Sequence, residues 1–106
     1  TNWFEIQTQG SDWLTKTAAY TAFAGDKIFV NTSGGAVTIT LPATAAVGDE
    51  IRFSDVANTF DTQNLTVARN GHKIDGATSD LTVATEGAGF ALVYSGATFG
   101  WKLLEK

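Results

Sequence analysis

Between residues 17 and 103 apolar and polar side chains alternate in short runs, each closed by Gly, Asn or Asp. A period of two marks a strand with one buried face, because successive side chains leave a pleated backbone on opposite sides. Val37, Ile39 and Leu41 take one side of such a run, Thr38 and Thr40 the other. Helical alternatives fail because Gly and β-branched residues interrupt every segment, and no stretch beyond about ten residues keeps a helical period. Only residues 43–47 have the makings of a single helical turn.

Three hairpins are expected. Residues 27–32 and 36–41 flank Ser33-Gly34-Gly35, where glycine supplies the positive φ of a tight turn, and Pro42 ends the second strand by removing a ladder donor. Residues 65–69 and 72–74 flank Asn70-Gly71, the strongest short-range turn signal in the chain. Residues 90–94 and 98–103 flank Ser95-Gly96-Ala97. Ile51 and Phe53 follow Gly48-Asp49 in a further strand, and Leu81 and Val83 follow Ser79-Asp80 in another. Residues 3–8 and 18–23 supply two more candidates. Seven to nine short strands at this spacing predict an all-β fold, a single antiparallel β-sandwich, with a jelly-roll-like or barrel-like closure as the alternative.

The expected core is Ile28, Val30, Val37, Ile39, Leu41, Ile51, Phe53, Leu65, Val67, Leu81, Val83, Phe90, Leu92, Phe99 and Trp101. Phe29, too, is assigned to the interior. The whole of 1–106 is read as one domain, with 1–24 as an aromatic-rich N-terminal segment.

Composition narrows the partners. Seven Lys and Arg, scattered singly, stand against eleven Asp and Glu, so no basic face is expected for nucleic acid. No run reaches the ~20 apolar residues of a membrane span, and no signal peptide opens the chain, which is expected to supply no export route of its own. Charged residues make up 17% of the chain, below the ~25% of an ordinary domain, and 16 Thr take their place. Thr suits strands and carries little desolvation penalty, so part of the outer surface is suited to burial against neighbours.

Catalytic and metal-binding sets are missing. His72 is the single histidine, read as an exposed residue after a turn, and no Gly-x-Ser-x-Gly accompanies it. Without Cys, a zinc site would have to be built mostly from carboxylates. Asp49, Asp55, Asp61, Asp75 and Asp80 are better explained as turn formers than as calcium ligands. No pair of carboxyls is singled out for glycosidase chemistry, and no glycine run is followed by the Lys-Ser/Thr of a phosphate loop. The chain is therefore read as no enzyme, with no cofactor and no metal.

Aromatic residues are the remaining functional class. Trp3, Phe4, Trp13 and Tyr20 lie outside the best-patterned core and are the candidate partner or subunit contacts. Large, stiff aromatics anchor interfaces and stack on sugar rings. An exposed arm with only Glu5, Asp12 and Lys16 for charge should be covered by a neighbour, in which case Trp13→Ala weakens assembly by ~2 kcal/mol or more and leaves the subunit's own fold intact.

Residues 17–22 (Thr-Ala-Ala-Tyr-Thr-Ala), Ala24-Gly25-Asp26 and Thr38-Ile39-Thr40-Leu41-Pro42 resemble a module of tailed-bacteriophage tail fibre and related virion proteins. Val47-Gly48-Asp49, the stretch from Asn64 to Gly71, Ile74-Asp75-Gly76 and Trp101 continue the likeness in the same order. Each motif is mostly turn grammar, and it is their order and spacing that carry the likeness. The resemblance implies a small, non-enzymatic β-domain located in the virion, commonly a homotrimer, in contact with other virion proteins. It transfers no receptor site. A Met directly before Thr1 in the coding sequence would shift the reading from a fibre fragment toward a capsid decoration or tail accessory subunit.

Two function classes therefore compete. One is a virion module, in a tail fibre, appendage or capsid decoration, that assembles with itself and meets the host surface, including a surface glycan. The other is a free-standing carbohydrate-binding domain using exposed Trp and Tyr.

Overall fold

A computed structural model describes residues 13–105, with side chains to residue 104. Trp3, Phe4 and the candidate strand at 3–8 lie outside the described residues. Nine strands follow in order: β1 (Trp13–Lys16), β2 (Tyr20–Thr21), β3 (Lys27–Val30), β4 (Val37–Thr40), β5 (Glu50–Asp55), β6 (Leu65–Ala68), β7 (Leu81–Val83), β8 (Gly89–Tyr94) and β9 (Trp101–Glu105). They form a five-stranded sheet, β9-β8-β5-β3-β1, and a four-stranded sheet, β2-β4-β6-β7, in a sandwich-like arrangement that is not a closed barrel. No helix occurs among the described residues, so the turn expected at 43–47 is non-helical.

The expectation of mostly antiparallel strands is corrected. From β1 to β6 the chain passes alternately between the sheets, so β1, β3 and β5 run parallel in one, and β2, β4 and β6 run parallel in the other. Antiparallel pairing begins only where the chain folds back. There β7 lies against β6, β8 against β5 and β9 against β8. Parallel neighbours need a long connection, and here the connection is a strand of the opposite sheet rather than a helix.

That winding explains which hairpins form. The turn at Ser33-Gly34-Gly35 carries the chain from one sheet to the other, so β3 and β4 are not ladder partners. Asn70 and Gly71 both take positive φ, 51° and 89°, and the His72 amide donates to the Arg69 carbonyl at 3.1 Å. The expected turn is present, but no strand returns along β6, whose edge is occupied by β7. Ile74 makes only isolated bridges to Ala77 and Trp101. The third hairpin forms with a longer turn than expected, 95–100 in place of 95–97, and its return strand is Trp101–Glu105 in place of 98–103; Trp101 lies opposite Tyr94 and Leu103 opposite Leu92.

Alternation placed most of the core. Ile28, Val30, Val37, Ile39, Leu41, Ile51, Phe53, Leu65, Val67, Leu92 and Trp101 are buried between the sheets, and Leu81, Val83 and Phe90 pack against them half-buried. Burial on this scale makes large-to-small changes cost ~2–5 kcal/mol each.

Two aromatics depart from the expectation. Phe99 is 59% exposed because Gly100 follows it at φ 73°, a left-handed residue that resets the alternation before β9 begins at Trp101. Phe29 lies on the outward side of β3, since Ile28 and Val30 on either side of it take the core. Phe60, fully buried, comes instead from the loop between β5 and β6.

Candidate functional site

The two sheets present unlike outer faces. In the four-stranded sheet the inward positions are Tyr20, Val37, Ile39, Leu65, Val67, Leu81 and Val83, which leaves threonine outside. Register sets Thr38, Thr66 and Thr82 side by side across three strands, and Thr21, Thr40 and Ala68 in the neighbouring row. None of its four strands contains a charged residue.

The outer face of the five-stranded sheet carries charge and aromatics. Lys27, Phe29, Glu50, Arg52, Ser54, Gly89, Ala91, Val93, Lys102 and Leu104 point outward there, together with Trp13 and Thr15 of β1, the outermost of the described strands on that side. Arg52 pairs with Glu50 at 2.6 Å, and Lys102 with Asp75 at 2.8 Å. The hydrogen bond from the Lys102 ammonium, helped by its charge and by the Leu103 amide, holds the Asp75 carboxyl below its ordinary value against the opposing effect of burial. Trp13 stacks on Phe29 with ring centroids 4.5 Å apart and planes within 18°.

A trough of about 360 Å³ crosses this face, with Trp13 at one side, Leu104 at the other, Arg52 alongside, and Ser54, Gly89 and Ala91 along the bottom. Ala91 sits in register between Arg52 and Leu104, and Gly89 faces Ser54. The depression therefore arises from side-chain size on a continuous sheet.

Of the aromatic candidates, Trp13 lines this trough and Tyr20 belongs to the other sheet. Tyr20 packs against the core, its hydroxyl donates to Asp26 Oδ2 at 2.9 Å, and the Lys16 ammonium lies 4.1 Å from its ring centroid. Burial, then the Asp26 carboxylate, push its phenol above the ordinary tyrosine value. The two residues thus share no patch. Arg52, Ser54, Gly89, Ala91 and Leu104 were missed; alternation gives each its face, but only the strand order brings them together.

Asp55 and His72 each have structural partners in the loops. Asp55, the last residue of β5, continues the inward set of Ile51 and Phe53 and is 4% exposed. Its carboxylate accepts hydrogen bonds from the amides of Thr59 at 3.1 Å, Phe60 at 2.9 Å and Gly87 at 2.9 Å. Burial alone would raise its pKa, but the amides of Phe60, Gly87, Thr59 and Asn58 together bring it below the ordinary carboxylate value.

His72 is half-buried rather than a free strand-start residue. Its Nε2 lies 2.7 Å from the Ala43 carbonyl, and its ring meets Tyr94 edge-on. Among the described residues no group of three His, Cys, Asp or Glu is placed to hold a metal ion.

No protein-family model and no curated protein matches the chain.

Proposed function

We propose that the chain is a non-catalytic structural module of a tailed-bacteriophage virion, in a tail fibre or appendage or as a capsid decoration. It assembles as a homotrimer, contacts other virion proteins and meets the host surface. The observation that supports assembly is the threonine face of β2, β4, β6 and β7. Burying hydroxyls and methyls in place of charges incurs a small desolvation cost, and the hydroxyls can pair with those of a neighbour. The virion attribution itself rests on the ordered sequence likeness.

Sedimentation equilibrium of the 106-residue chain at micromolar concentration tests this reading. The expected result is a trimer that Thr66→Lys, at the centre of the threonine row, reduces to a folded monomer. A wild-type chain that is monomeric at that concentration overturns it.

A second reading, a free-standing carbohydrate-binding domain, is favoured by the aromatic-walled trough on the opposite sheet.

A further inference from the structure

We propose that the trough between Trp13 and Leu104 is a binding site for a neutral hexopyranose unit of a glycan. This names the site that the sugar-contact readings require, and it holds whether or not the chain forms a trimer.

Three features of the trough point to a sugar. The first is a fixed aromatic wall. Phe29 stacks on Trp13 and holds the indole, so little side-chain freedom is left to lose when a ligand arrives. An indole offers an apolar surface matched to the C–H face of a pyranose ring.

The second is the floor. Gly89 has a backbone conformation open to any residue, since its φ is not positive, and a Cβ built on it meets no atom within 4 Å. Neither backbone strain nor packing demands glycine here, although glycine weakens a strand. A strand glycine without such a reason fits a place where a ligand approaches the backbone closely. Ser54 opposite and Ala91 two residues on keep the same floor low.

The third is the polar flank. Arg52 lines the trough with guanidinium N–H donors and is neutralised by Glu50. With the Ser54 hydroxyl on the floor, which can donate or accept, these groups can meet the hydroxyls of a sugar ring. A paired guanidinium has no net charge to spend on an anionic group, which makes a neutral sugar the better fit. The trough has the volume of a small-molecule site.

The test is an amide-resolved NMR titration of the full chain with cellobiose, maltose, lactose and mannobiose. Expected are shifts at Arg52, Ser54, Gly89 and Ala91 and at the Trp13 indole N–H, saturating with at least one sugar at about millimolar affinity. Gly89→Val fills the floor in open space and should reduce that affinity at least tenfold while leaving circular dichroism unchanged and the thermal midpoint no lower. Trp13→Ala should reduce the affinity likewise while keeping the circular dichroism of the folded chain. The proposal is overturned if no sugar shifts these amides, if the shifts lie elsewhere, or if Gly89→Val binds like the parent. It is also overturned if Trp13→Ala dissociates an oligomer and leaves sugar affinity intact. A monomer that binds sugar would uphold this site and sink the trimer; a trimer that binds none would do the reverse.

Discussion

A methyl group built on Gly100 would fall inside the van der Waals envelope of the Lys73 carbonyl. Gly100 has φ 73°, and the next amide, that of Trp101, donates to the same carbonyl at 2.8 Å. The glycine lets the 73–77 loop dock on the start of β9. Gly100→Ala must shift that loop as well as adopt a disfavoured φ, a backbone cost alone of ~1–3 kcal/mol. Urea denaturation should show at least that loss, whereas Gly34→Ala, with open space and no positive φ, should change stability little.

Asp55 makes the fold acid-sensitive. Its folded pKa lies below the unfolded value of about 3.9. The stabilisation it provides is therefore complete above the unfolded value and disappears as pH falls through the lower folded one. Asp55→Asn should destabilise the protein at neutral pH by about 2 kcal/mol, since a neutral amide bonds the Thr59, Phe60 and Gly87 amides less strongly. The thermal midpoint of the variant should converge on that of the parent as pH is lowered. A constant gap down to low pH would show that the Asp55 charge contributes nothing.

Phe60 and Phe99 reverse the weights that alternation assigns them. Phe60 is fully buried, so Phe60→Ala should cost ~3–5 kcal/mol. Phe99 stands largely in solvent beside Gly76, and Phe99→Ala should cost less than about 1 kcal/mol. Equal losses in chemical denaturation would contradict the placement of both.

Period-two alternation made the buried faces of β3 to β6 legible, because it depends only on each strand's own pleat. Pairing was not legible in the same way. Lys27 lies beside Arg52 and Val37 beside Leu65, and nothing in the alternation of either strand distinguishes a parallel neighbour from an antiparallel one. The Asn70-Gly71 turn was readable because its φ values are local, and its lack of a returning strand was not. Phe60 was hidden in a loop without alternation. Asp55, however, stood in the inward register of Ile51 and Phe53 and was readable as a buried carboxylate.

The trough falls on the unreadable side. Trp13, Arg52 and the Ala91–Leu104 hairpin pair come from three parts of the chain distant in sequence, and only the order β9-β8-β5-β3-β1 makes them one surface.

The alternate winding of the chain between the sheets also governs how fast the protein can form. Among the described strands only β8 and β9 are joined by a short turn and paired. Every other ladder must close a long loop first: Trp13 waits for Lys27, Val37 for Leu65, and Glu50 for Val93. Loop closure loses entropy before any contact compensates it, so the chain should fold slowly for its size, on the millisecond-to-second scale of non-local β topologies. The β8–β9 ribbon is the one paired unit that need not wait.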